Sequence, residues 1–177
     1  MAELITRSGL TKGAFYFHFS SKEELALAVI EEKQRQRIDA VADTISASSS
    51  AMDALRAVAA AMARLHRDDP SAFSVSRLTR DLARIPGVSE TVRDHTRAWV
   101  ALLADLIGRS QAEGNLPTTI NAYDLAALLV GATDALKDLG TLVDAPTRAR
   151  RAFERRMEIL VTLVEALRTQ NLTSDSA

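Results

Sequence analysis

Residues 3–19 read ELITRSGLTKGAFYFHF, and the fold class turns on them. A short helical piece, a break at Ser8-Gly9-Leu10 and a second short helical piece make a helix-turn-helix plan. Gly9 can take the positive φ that such a turn often needs. Thr11 suits the N-cap of the second helix, because its hydroxyl can accept from an otherwise orphaned amide. Phe15 and Phe19 are four apart, so they share a face that can bury. Lys12 and Tyr16 form a second i, i+4 pair on another face. A cation and a phenol side by side on an exposed face suit phosphate oxygens and base edges. Gly13 has no side chain, so the helix N-terminus can approach an anion closely, where backbone amides and the helix dipole favour it. Lys22, at the start of the next helix, offers a second place of the same kind.

Outward from this segment, nearly everything reads helical, and no run sustains the alternation of a strand. Ser21 followed by Glu24 is a capping box that opens a helix running to about Thr44. Leu25, Val29 and Ile30 lie near its start, and Ile38, Val41 and Ala42 follow further along one side. The serine-rich stretch 46–51 breaks it. A helix from about Met52 to Arg67 ends at Asp68-Asp69-Pro70, and another runs from about Ser71 to Ile85-Pro86-Gly87. Ser89 is placed to cap a long helix that ends at Gly114, a C′ glycine. Asn121, with Asp124 three residues on, caps a helix lasting to about Val143. Asp144-Ala145-Pro146 precedes a last helix from about Thr147 to Gln170, and a frayed tail is expected at 171–177.

The run ITRSGLTKGAFYFHFSSKEEL resembles the DNA-binding head of the TetR family of transcriptional regulators. The specific parts are Gly9-Leu10, the aromatic run Phe15–Phe19 and Ser21-Lys22-Glu23-Glu24-Leu25. The resemblance implies an all-α homodimer whose subunits carry a helix-turn-helix head and a larger helical effector-binding and dimerisation domain. The division would be 1–25 for the head, 26–170 for the larger domain and 171–177 for the tail. It implies DNA contacts from Thr11, Lys12, Gly13, Tyr16, His18 and Lys22, with Phe15 and Phe19 structural. In that family a whole helix precedes the position of Met1. The resemblance therefore implies either a longer native N-terminus or a truncated form with a loose head. The truncated form would dimerise and bind ligand but hold DNA weakly.

Charge distribution fits a polyanionic partner at one end. Arg7, Lys12 and Lys22 against Glu3 give residues 1–22 a charge of +2, within a chain whose net charge is −1. The chain has no cysteine, which excludes disulfides, thiolate catalysis and cysteine metal sites, and suits a cytoplasmic protein. The three histidines, His18, His66 and His95, have no metal-ligand spacing. No phosphate loop, membrane span or secretory signal is read, and neither enzymatic activity nor a cofactor is expected.

Trp99 is the sole tryptophan. A large flat apolar surface with one N–H can wall a small-molecule pocket. Its setting, Arg-Ala-Trp followed by Leu-Leu and later Glu113-Gly114-Asn115-Leu116-Pro117, resembles the γ-butyrolactone receptor branch of the family. That implies a repressor released from its operator by a small apolar effector. Phe73, Leu78, Leu82 and Val130 are further pocket candidates. The last two helices carry more apolar residues than one core needs. Leu125, Leu128, Leu129, Ala132, Leu136 and Leu139 line one; Phe153, Met157, Leu160, Val164 and Leu167 line the other. This surplus predicts a four-helix bundle with a second subunit, in which Leu128 and Leu160 face the partner.

Overall fold

The computed structural model describes residues 2–9, 11–69, 71–85 and 88–174. Among these residues it has eight helices and no strand. The two short ones, α1 (Ala2–Ser8) and α2 (Lys12–His18), precede α3 (Lys22–Ser46) and α4 (Ala51–Asp68). Then come α5 (Ala72–Leu82), α6 (Ser89–Ala112), α7 (Ala122–Val143) and α8 (Pro146–Ser174).

The helix ends follow their local chemistry. Thr11 Oγ1 accepts from Ala14 N at 3.2 Å, and Gly9 takes φ +69°. Ser21 Oγ accepts from Glu24 N at 3.0 Å. The return arm of this box lands one residue early: Glu24 Oε2 accepts from Ser20 N at 2.7 Å and from Ser20 Oγ at 2.6 Å. These bonds hold the Glu24 carboxyl below its ordinary pKa, the Ser20 hydroxyl contributing most. At the end of α6, Gly114 has φ +75°, its N–H donates to Gln111 O, and Asn115 N donates to Ser110 O at 2.9 Å. That pair of bonds is a Schellman motif. Asn121 caps α7 through Asp124 N at 3.0 Å.

Three expectations need correction. Ser89 does not cap α6: Val88 holds the N-cap position, and Ser89 is the first helical residue. The turn before it already satisfies the entering amides, since Val88 N and Ser89 N both donate to Ile85 O. Helix α8 continues to Ser174, because no glycine or proline follows Gln170 to stop it. Ile38 and Ala42 are exposed, and of that side only Val41 is buried.

Packing centres on α4, which lies against α3, α5, α6 and α8. The largest cluster joins α3, α4, α6 and α7 through residues such as Val41, Met52, Val58, Leu106, Ile107 and Ala126. A second ties α3 to α5 and α6 through Ile30, Leu82 and Val92. A third sets Phe153 of α8 against Ala63 of α4 and Phe73 of α5. Buried His66 completes a three-ring cluster with Phe153 and Phe73, its ring 4.8 Å from Phe153 and 5.8 Å from Phe73. Its Nδ1 is 2.8 Å from the Met62 carbonyl, so that nitrogen carries the proton. Burial, then the nearby Lys137 charge, push the His66 pKa down to about 4.

Candidate nucleic-acid interface and ligand cavity

The tip of the molecule puts its aromatic and basic side chains outside. Phe15 is buried and Phe19 half-buried, with ring centroids 5.8 Å apart. They form the inward face read from their spacing. Thr11, Lys12, Gly13, Tyr16, His18 and Lys22 are all exposed. A Cβ added at Gly13 would meet nothing within 4 Å, so this glycine answers to no packing within the chain. Sequence reasoning missed Phe17, which is 86% exposed and packs edge-on against His18 at 5.3 Å. Its place between Tyr16 and His18, off the Phe15–Phe19 face, was the available signal. Two of the tip cations have carboxylate neighbours yet stay in solvent: Lys22 Nζ lies 3.9 Å from Glu23, and Arg7 is paired with Glu3 at 3.0 Å on α1.

Further back, α3, α4, α6, α7 and α8 line a partly open cavity of about 90 Å³. Trp99 and Val130 line it, as does the apolar side of α4 from Met52 to Met62. Phe73, Leu78 and Leu82 do not. Phe73 packs beside Phe153, and Leu82 is buried with Ile30 and Val92, with Leu78 against them. An apolar side chain at helical spacing marks a core face, and only the packed structure shows which face is left unfilled.

The cavity also has a polar end that was not expected. Arg37 of α3, and Asp134 and Lys137 of α7, line it. The Arg37 guanidinium lies 5.0 Å over the Trp99 ring, a cation–π contact, and donates to Gln34. Lys137 is 6% exposed and donates to Asp134 Oδ1 at 2.8 Å. Loss of water lowers the pKa of both cations, and Asp134 partly offsets this. A wider hollow between α4 and α8 opens at the surface; its rim residues Arg67 and Glu154 already pair at 2.8 Å.

Helices α7 and α8 present a second, outward apolar face. Leu128 is 70% exposed, and Tyr123, Leu142, Val143, Ile159 and Leu163 are exposed with it. Leu160 is not on this face: it is half-buried against the Phe153 cluster and lines the cavity. Among the described residues no group of three or more His, Asp or Glu could hold a metal ion. No described helix is long and apolar enough to cross a membrane.

A family model described as bacterial regulatory proteins, tetR family, matches residues 1–29. The chain is 29% identical over 109 residues to the HTH-type transcriptional activator FasR of Mycolicibacterium smegmatis. That match covers 62% of this chain and about half (49%) of the activator. A TetR-family transcriptional regulator from Agrobacterium tumefaciens superposes with a TM-score of 0.75 at 21% identity, covering 92% of this chain and 85% of its own. A gamma-butyrolactone receptor (ArpA-like protein) superposes at 0.63 with 25% identity, covering 89% and 84%.

Proposed function

We propose that this chain, which carries the head and the helical fold of TetR-type transcriptional regulators, is a homodimeric repressor released from operator DNA by a small, largely apolar effector. The observation that carries the DNA reading is the exposed set at the tip: Lys12, Tyr16, His18 and Lys22 around a buried Phe15. Thr11, Lys12, Gly13, Tyr16, His18 and Lys22 contact the duplex in this reading. Backbone phosphates take the cations and the helix amides, and base edges take what reaches the groove.

The exposed apolar face of α7 and α8 supports the dimer. A patch of this kind on adjacent helices is buried by a two-fold copy of itself, giving a four-helix bundle. Trp99 and Val130, at an unfilled cavity, support the effector site. Ligand that favours a head separation unlike that of two successive half-sites, roughly 34 Å, drives the dimer off DNA.

The test is binding to duplexes selected by the chain from a random pool. Tyr16→Ala and Lys22→Ala are expected to weaken binding roughly tenfold each while the dimer persists. Lys22→Ala should also lower the slope of log affinity against log salt by about one. Unchanged affinity in both variants would sink the assignment of the tip as the DNA face.

A further inference from the structure

The polar end of the cavity carries more positive charge than the protein neutralises. Lys137 is almost wholly buried, and a buried ammonium is costly unless paired. Its partner Asp134 has a side chain that is itself half in solvent. Arg37 lines the same void, and among the described residues it makes no ion pair; its contacts are the Gln34 amide and the Trp99 ring. Two cations therefore face the void with one carboxylate between them. The other groups nearby do not redress this. Asp138 is engaged with Arg80 at 2.5 Å, and His66 is neutral above its depressed pKa. Arg56, also in the lining, adds no free positive charge, since two carboxylates hold it, Glu165 at 2.5 Å and Asp53 at 2.8 Å. The Arg37–Lys137 end therefore has a surplus of one positive charge, beside apolar walls from Trp99, Leu103 and Val130.

We infer that the ligand of this cavity is a small monocarboxylic acid, its carboxylate seated between Arg37 and Lys137 and its apolar part against Trp99, Leu103 and Val130. This rests on reading the cavity as the effector site. A guanidinium over an indole still offers N–H donors, which suit the two oxygens of a carboxylate. A single negative charge balances the site, whereas a phosphate-like dianion leaves an excess in apolar surroundings. The chamber's size sets the apolar part. About 90 Å³ is less than the roughly 150 Å³ that accepts benzene in an engineered protein cavity. Met52, Met62 and Met157 in the wall can yield somewhat to a longer chain.

The probes are butanoate and hexanoate, each with its amide and its γ-lactone, titrated into the full chain. Calorimetry gives affinity, and the single tryptophan reports occupancy. Each acid is expected to bind at least roughly tenfold tighter than its neutral counterparts and to change Trp99 emission. Arg37→Gln and Lys137→Met should each cut acid affinity by about tenfold to a hundredfold and leave the amides unaffected. Asp134→Asn, which removes the competing carboxylate, should raise acid affinity. If Lys137→Met fails to fold, Arg37→Gln and Asp134→Asn carry the same contrast. Amides or lactones binding as well as the acids overturn the acid class and leave the effector cavity standing. Failure of every probe at tens of millimolar overturns both.

Discussion

The head and the larger domain use the same residue types in opposite ways. In the head, Tyr16, Phe17, Lys12 and Lys22 face solvent, and Phe15 is the one residue of that segment fully out of water among those described. In the larger domain Phe153 is 0% exposed, and Lys137 and His66 are buried beside the aromatic cluster. Exposed rings and cations cost the fold little and suit a large polyanion that arrives from outside. Buried rings stabilise the fold, and buried charges are tolerated where something small can neutralise them. On the proposed reading the same alphabet serves two scales of partner, and burial tells them apart.

The comparison breaks most visibly if phenylalanine is deleted from each region. Phe153→Ala is expected to cost about 3–5 kcal/mol of stability by urea unfolding, through lost burial and a cavity beside His66. Phe17→Ala should stay within about 0.5 kcal/mol. Equal losses would mean that Phe17 packs in solution.

Acid provides the next largest contrast. His66 has a folded pKa of about 4 against 6.5 when free, so the unfolded chain binds more protons between those values. Stability is then fully present above about pH 6.5 and falls as pH drops through the window, by about 3 kcal/mol at its lower edge. Asp69, held at about 2 chiefly by its bond from Lys33, acts in a separate window below roughly pH 4. His66→Leu should flatten the stability profile between pH 4 and 6.5, and a slope unchanged in that variant would remove His66 as its source.

A smaller effect, on association and not on the fold, sharpens the comparison within the larger domain. Leu128→Asp and Leu163→Asp should weaken self-association by at least roughly thirtyfold, read by sedimentation, with helicity intact. Leu160→Asp should unfold the chain instead, since Leu160 faces the cavity and the Phe153 cluster. A monomeric wild-type chain at micromolar concentration would refute the interface.

Much of the molecule was legible where one residue acts on its neighbours. Thr11, Ser21, Asn121, Gly9 and Gly114 each do locally what their chemistry and position indicated. Ser89 misled because the helix begins one residue earlier, with Val88 N and Ser89 N both donating to Ile85 O, so the serine falls inside the first turn. Leu160 misled because α8 is apolar on two sides, one for its own core and one left outward, and spacing cannot say which is which. Arg37 and Lys137 were illegible in the cavity for a different reason. They lie 100 residues apart, and a lone cation on a helix reads as solvated until tertiary packing encloses it. Phe73, Leu78 and Leu82 erred the other way, as good core residues in places the protein had filled.

Helix α3 is unbroken from Lys22 to Ser46, and it carries both the tip cation Lys22 and the cavity's Arg37. Fifteen residues at about 1.5 Å each make a rod of roughly 22 Å between them. It contains no proline, no glycine and no break that could absorb a bend. A pivot of about 5° at Arg37 then sweeps Lys22 through an arc of nearly 2 Å, by the same rod length. That is more than the margin between a made and an unmade hydrogen bond. If the proposed function holds, stiffness, more than any moving joint, makes a displacement too small to notice in the chamber large enough to matter at a phosphate.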